Sequence, residues 1–443
     1  MSRPLIDGPA IDVALAGARE RYARVRPISA GHAAAAAKVL PGGSTRSVLN
    51  FEPFPFRVAS ADGATLVDVD GHRYLDLLGD YTAGLLGHNP PAVAEALQAA
   101  IERGWSMGAV GEADHRLAEL VCGRFPSIER VRFTNSGTEA NLMAVALARH
   151  HTGRSRVLGF AGGYHGGVLY FGQHGTPLRA PYDYSLCTFN DLDSVAAALG
   201  EHGEDTACIL VEPMMGSGGC IPAEPGFLAG LRELCDASGA LLIFDEVMTS
   251  RMAFGGVQAI AGVRPDLTTL GKYIGGGMTF GAFGGRADVL AAFDPAVGGS
   301  LTHPGTFNNN VMTMAAGIAA AESIITPDAL DRLYADGEAF RAALGPVLAP
   351  AGLSTTGMGS LLAIHPVSGI VRTPGDLAGA DHRPIELLFH GLLAEGIYIA
   401  ARGFVALSLC VTGSDRERTI EIVADQVKQL VSDGLLTPES HGM

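Results

Sequence analysis

The sequence predicts an α/β fold in which a mostly parallel sheet is flanked by helices. Three observations carry this. Between residues 90 and 325, helical patterns alternate with short apolar runs, which implies crossover connections. The runs at 208–211 and 240–244 are apolar throughout, as strands covered on both faces are. Five runs end in a cluster of polar or ionisable residues.

The elements follow in chain order. Residues 10–40 are alanine-rich with a helical pattern, which "PGG" at 41–43 breaks. "FEPFPFRV" at 51–58 carries two prolines and reads as an extended connector. "ATLVDVDGHRYLDLL" alternates apolar and polar residues around Asp70-Gly71, the pattern of a hairpin. "HRLAELVCGRF" sets Leu117, Leu120, Val121 and Phe125 on one helical face. The strand candidates are "RVRFTN", "RVLGF", "TACILVE", "ALLIFDE" and "DLTTL". Beyond residue 326, "EAFRAALGPVL" and "IEIVADQVKQLVSDGLL" have helical periodicity. No internal repeat is visible.

Composition narrows the classes. With 47% hydrophobic and 17% charged residues, the chain can bury a large core. The formal net charge of −15 argues against a broad nucleic-acid surface and against an anionic membrane. The six cysteines include no CxxC pair, so free, buried thiols are expected rather than disulfides or a metal site. No apolar run approaches the ~20 residues of a membrane span. The N-terminal stretch lacks a signal pattern, and a cytoplasmic location is expected.

The strand ends carry the chemistry. "RFTN" leads into "SGTEAN", "VLGFAGG" into Tyr164-His165-Gly166, "CILV" into Glu212, "LLIF" into Asp245-Glu246, and "LTTLG" into Lys272. Ligands of open α/β sheets bind outside the carboxyl ends of the strands, so these groups are expected to converge. Ser136 and Glu139 fit a capping box. Gly137 also lets a ligand approach the helix start, where N–H groups and the Ser136 and Thr138 hydroxyls suit a phosphate. Asp245 reads either as a helix cap or ion pair, or as a carboxylate facing a cationic ring nitrogen. Lys272 has no charged neighbour within four residues. It is either a snorkelling surface lysine or one whose apolar setting yields a neutral amine for a Schiff base. Taken together, the three signals match the needs of pyridoxal phosphate. Tyr164, paired with His165, and Val247 would sandwich its ring.

"FTNSGTEAN", "GGYHG", "VEP", "FDEVMTSR" and "TLGKYIGGG" resemble the class III aminotransferases of pyridoxal-phosphate fold type I. The likeness runs from about residue 36 to 415. "GTFNNN" and "DEVMTSR" look closest to the glutamate-1-semialdehyde aminomutase-like branch. Within it, "TRSVL", "GGYHGGVL" and "RGFVALSL" resemble the aminotransferases of β-amino acids such as β-phenylalanine. The aminomutase itself often shows "GTLSGNP" where this chain reads "GTFNNNV", which weakens that alternative.

The resemblance implies a large cofactor-binding domain at 71–325. A smaller α+β domain would combine the N-terminal segment 1–70 with 326–443. It implies a homodimer with shared active sites. Ser136, Gly137 and Thr138 would bind phosphate, and Thr306 would reach the phosphate of the partner subunit's cofactor. Tyr164 would stack on the ring, Asp245 pair with its nitrogen and Lys272 carry it as an imine. Glu212 would support the ring's hydroxyl side or the local charge network. Arg46 would hold the donor's carboxylate. Arg402 would pair with the distal carboxylate of an acceptor such as 2-oxoglutarate, pyruvate being the other candidate, and move aside for an aromatic group. Tyr81, Ala83 and Phe51 are candidate pocket walls, and Arg251 is given no direct role. The alternatives are glutamate-1-semialdehyde aminomutation and a non-catalytic binding protein on the same fold. A nucleotide-binding enzyme ranks lower, because no GxGxxG follows a strand and no Walker-type loop is present.

Overall fold

The computed structural model of the protein describes residues 3–6, 8–172 and 177–437. At its centre lies a seven-stranded sheet. Its strands, in chain order, are β1 (Arg130–Thr134), β2 (Arg156–Phe160), β3 (Tyr184–Cys187), β4 (Thr206–Val211), β5 (Leu241–Asp245), β6 (Leu267–Gly271) and β7 (Gly281–Gly285). They lie side by side as β1-β7-β6-β5-β4-β2-β3. Only β7 runs antiparallel to its neighbours, β6 and β1. The remaining pairs are parallel. The other six strands therefore share one direction, and their carboxyl ends open on one edge. That edge is where the sequence ends five apolar runs in Asn135-Ser136, Tyr164-His165, Glu212, Asp245 and Lys272.

The sheet is covered as its composition requires. β4, β5 and β6 are buried at every position. The helix Gly137–Thr152 packs Ala140, Ala144, Val145, Leu147 and Ala148 into a core with Leu210, Ile243 and Leu267. Its small alanines let the helix approach the sheet closely. Gly153 ends it in the left-handed conformation at φ 69°. Leu147 is 1% exposed, so Leu147→Ala should cost about 2–5 kcal/mol of stability.

The expected hairpin pairs Thr65–Asp68 with Arg73–Asp76 in antiparallel register. Asp68 holds its turn, accepting from His72 N at 2.8 Å and Tyr74 Oη at 2.6 Å. The hairpin lies in a four-stranded sheet with Val58–Asp62 and Ile397–Tyr398. Its second strand thus lies beyond residue 70. A three-stranded sheet joins Ser354–Met358, Leu361–His365 and Phe404–Ala406. The two chain ends meet, because Leu5–Ile6 pairs with Leu436–Thr437. The helix Gly8–Arg24 packs on Arg383–Ala394, with Arg19 Nε 2.8 Å from Glu386 Oε1.

The alanine-rich stretch at 10–40 is two helices, Gly8–Arg24 and Pro27–Ala36. Pro27 starts the second helix, and Asp70 caps it through Ile28 N at 2.8 Å and Ser29 N at 3.0 Å. All six cysteines are free, with Cys187, Cys208, Cys220 and Cys235 buried. Among the described residues, no helix is long and apolar enough to cross a membrane. No cluster there could hold a metal ion.

Candidate active site

The carboxyl edge of the sheet opens into a cavity of about 280 Å³. Ser136, Gly137, Thr138, Tyr164, His165, Glu212, Asp245, Val247 and Lys272 all line it. Residues spread over more than a hundred positions meet there because each follows, or ends, a strand of common direction.

One wall is the start of the helix Gly137–Thr152. Ser136 Oγ accepts the Glu139 N–H at 3.2 Å. The other half of the expected capping box is displaced: Glu139 Oε2 reaches Asn135 N, one residue before the cap, at 2.8 Å. The first-turn N–H groups have no intrahelical acceptors and favour an anion. A Cβ on Gly137 would lie 2.9 Å from Val247 Cγ2, so a side chain there would collide with the ring wall.

A second wall centres on Asp245. The residue is 4% exposed, a setting in which a lone carboxylate would be costly. Its Oδ2 accepts from Asn141 Nδ2 at 2.8 Å and lies 2.8 Å from His165 Nδ1. Its Oδ1 accepts from Val247 N at 3.0 Å. Asn141 is held in turn, since Thr269 Oγ1 donates to its Oδ1 at 2.7 Å and its Nδ2 also donates to His165 O at 3.2 Å. Sequence reasoning missed Asn141 and Thr269. The available signal was an amide in "SGTEAN", one helical turn after Gly137 and so on the same face.

Lys272 begins a short turn after β6 with a left-handed backbone, φ 60°. For a residue with a Cβ this conformation is strained, and such strain gathers at functional sites. The glycines that follow permit the turn: a Cβ on Gly276 would sit 2.4 Å from Ala316 O. Burial pushes the Lys272 ammonium down to about 8, against the opposing pull of Asp245 and Glu212. Glu212 is 5% exposed and accepts from Tyr164 N and Gly216 N, each at 2.9 Å. Burial raises its carboxyl to about 7. These values place an amine and a carboxyl close to neutrality in one cavity, where proton transfer is accessible.

This donor set fits pyridoxal phosphate. A helix start with two hydroxyls suits the phosphate, a braced carboxylate suits the pyridine nitrogen, and a desolvated amine suits the carbonyl.

Of the remaining candidates, Arg46 and Arg402 lie at the mouth, within electrostatic reach of the half-exposed Tyr164 hydroxyl. Arg46 pairs with Asp80. Its guanidinium lies 5.7 Å from the Tyr81 ring centre, and that of Arg402 lies 5.6 Å from the same ring. Tyr81 stacks on Phe404 at 5.8 Å and donates to Val48 O at 2.6 Å. Arg402 Nη1 lies 3.4 Å from both the O and the Oγ of Ser217. Asp80, Tyr81 and Thr82 have φ of 44°, 51° and 81°. Such non-glycine residues cost on the order of 1–3 kcal/mol each. Asp80 is a third residue that sequence reasoning missed, since its pairing exists only in three dimensions.

Six candidates do not line the cavity: Arg46, Tyr81 and Arg402, and with them Ala83, Phe51 and Thr306. Ala83 follows Tyr81 in the same loop, donating to Asp80 O at 3.3 Å. Phe51 packs edge-on against Phe389 at 4.8 Å and lines a neighbouring cavity. Thr306 is exposed on the loop before the helix Val311–Ser323. Arg251 is buried, with Nε 2.9 Å from Ser360 Oγ and Nη2 on Leu407 O. It ties the segment after β5 to the C-terminal sheet.

The aminotransferase class-III family matches residues 49–172 and 173–428. A β-phenylalanine transaminase from Variovorax paradoxus is 51% identical over 416 residues, covering 94% of this chain and 96% of that protein. A crystal structure of a β-phenylalanine aminotransferase from Variovorax paradoxus superposes with a TM-score of 0.94 at 49% identity, over 97% of this chain and 99% of that one. A transaminase solved with pyridoxal phosphate bound is 32% identical, with a TM-score of 0.85 over 92% of this chain and 99% of that one.

Proposed function

The chain belongs to the class III aminotransferases, enzymes that use pyridoxal phosphate, and from that premise we propose that its donor is an aromatic β-amino acid such as β-phenylalanine. The observation that carries the donor class is the 51% identity to a β-phenylalanine transaminase over nearly the whole chain. The mouth supports it: Arg46 offers a cation to one carboxylate, beside the aromatic faces of Tyr81 and Phe404. We take 2-oxoglutarate or pyruvate as the acceptor.

The cofactor, when bound, supplies a carbonyl that takes up the amino group and a ring that withdraws electrons from the carbon bearing it. The chain's residues do the rest. Ser136, Gly137 and Thr138 bind the phosphate at the helix start. Tyr164 and Val247 flank the ring. Asp245, braced by His165 and Asn141, holds a proton on the pyridine nitrogen. Lys272 would hold the cofactor's carbonyl carbon while no donor is bound. Its freed amine then removes the proton from the donor's Cβ as a general base. Glu212 balances charge beside it. Arg46 binds the donor's carboxylate and so orients Cβ toward Lys272. Arg402, lightly held by Ser217, is free to meet an acceptor's distal carboxylate or to withdraw. In this reading the enzyme is a cytoplasmic homodimer whose exposed Thr306 serves the partner subunit's cofactor.

Steady-state assays with β-phenylalanine and each acceptor, run beside glutamate-1-semialdehyde, test the proposal. It expects 3-oxo-3-phenylpropanoate and the aminated acceptor. Formation of 5-aminolevulinate without β-phenylalanine turnover would replace it with the aminomutase reading.

A further inference from the structure

We propose that Asp80 is an internal stand-in for the substrate's carboxylate, holding Arg46 until that carboxylate displaces it. The inference rests on the reading of Arg46 as the donor's carboxylate site.

The first observation is the pairing. Arg46 Nη1 bonds Asp80 Oδ1, so the guanidinium proposed for the substrate already carries a carboxylate. The second is exposure. The two side chains are 43% and 53% exposed, and an ion pair this hydrated is weak enough for a competing carboxylate to exchange with it. The third is the backbone. Asp80 is the first residue with a side chain in a positive-φ run from Gly79 to Thr82. Aspartate tolerates that conformation better than most residues. The run sets the Asp80 carboxylate beside Arg46 while laying Tyr81 under both arginines.

Asp80 lines a second cavity of about 230 Å³ together with Asp76, His88 and Tyr398. His88 lies there with Nε2 2.9 Å from Asp76 Oδ2. Arg46, Asp80 and Arg402 together carry one net positive charge. A ligand without a carboxylate therefore meets a neutral Arg46–Asp80 pair and displaces nothing. A ligand with one must break the pair. Asp80 thus weakens the preference for acids that an unpaired Arg46 would impose, which makes it a specificity-determining residue.

The test uses the cofactor-loaded enzyme and two inhibitors of the donor half-reaction, 3-phenylpropanoate and its neutral amide. Asp80→Asn keeps the side-chain shape and tolerance of positive φ but removes the charge. It should lower the inhibition constant of the acid about two- to fivefold, the range for an exposed ion pair, and leave the amide unchanged. Asp80→Gly, which suits the same backbone, should act in the same direction. Borohydride trapping of the cofactor checks that each variant has folded its site. An acid constant that stays level or rises in both variants overturns the inference. Arg46→Ala separates the two layers of the argument. If it weakens acid binding while Asp80→Asn changes nothing, only the stand-in role falls. If it leaves acid binding intact, the reading of Arg46 falls and the stand-in role with it.

Discussion

The wall around Asp245 and the mouth around Arg46 are built on opposite plans. Asp245, His165, Asn141 and Thr269 are all buried, and each is held by at least one hydrogen bond of 2.7–2.8 Å. They stand on strands, on the turn just after one, or on the helix that packs against the sheet. Arg46, Asp80 and Arg402 are exposed and sit on loops, held by one ion pair, a shared aromatic ring and two 3.4 Å contacts. Burial makes the first region rigid and its charges strong. Hydration makes the second exchangeable. A transaminase needs both, because one fixed chemistry must serve two different substrates in turn.

Substitutions can break this contrast, and the largest effect belongs to the wall. Lys272→Ala should lower single-turnover amine transfer about 10³-fold while cofactor still binds without a trappable bond. Mass spectrometry after borohydride reduction checks the second half of that statement. Asp245→Asn should slow the same half-reaction about a hundredfold. It should also change the absorbance of the bound cofactor, because the ring nitrogen loses its anionic partner. The mouth should respond differently. Arg46→Ala should raise KM for β-phenylalanine roughly ten- to hundredfold, with a smaller change in kcat. If kcat instead fell as far as in Asp245→Asn, Arg46 would belong to the chemistry and the contrast would fail.

The smallest effect is a pH dependence. Lys272 titrates near 8 in the folded, cofactor-free chain, below its ordinary 10.5. Between those values the unfolded chain binds more protons, so folded stability rises with pH across that window. Lys272→Met should flatten this slope in denaturant titrations of the cofactor-free protein. Cofactor attachment by the wild type should likewise speed up as pH rises through about 8.

The wall was far more legible in the sequence than the mouth, for physical reasons. Apolar strands announce themselves by composition, and a polar residue just after one is conspicuous. Ser136, Tyr164, Glu212, Asp245 and Lys272 were all visible in that way, and the structure lines one cavity with them. Asn141 escaped because a helical asparagine also reads as an ordinary polar position. The family and fold type were legible through the combined motifs, and the matching span 49–428 bears that out. The mouth depends on loops. Nothing in "GDYT" signals four consecutive residues of positive φ, and nothing marks Asp80 as the partner of a residue 34 positions away. Ala83 and Phe51 were read from apolar neighbourhood alone, which cannot tell one cavity from the next.

On the proposed function, Lys272 moves the proton on the amine-bearing carbon of an aromatic β-amino acid. The most direct measurement mixes cofactor-loaded enzyme with β-phenylalanine in the absence of any acceptor. The account predicts one 3-oxo-3-phenylpropanoate per subunit, loss of the borohydride-trappable bond at Lys272, and recovery of that bond on adding 2-oxoglutarate or pyruvate. A cofactor band that β-phenylalanine leaves unchanged, in protein that another amine converts fully, would contradict it.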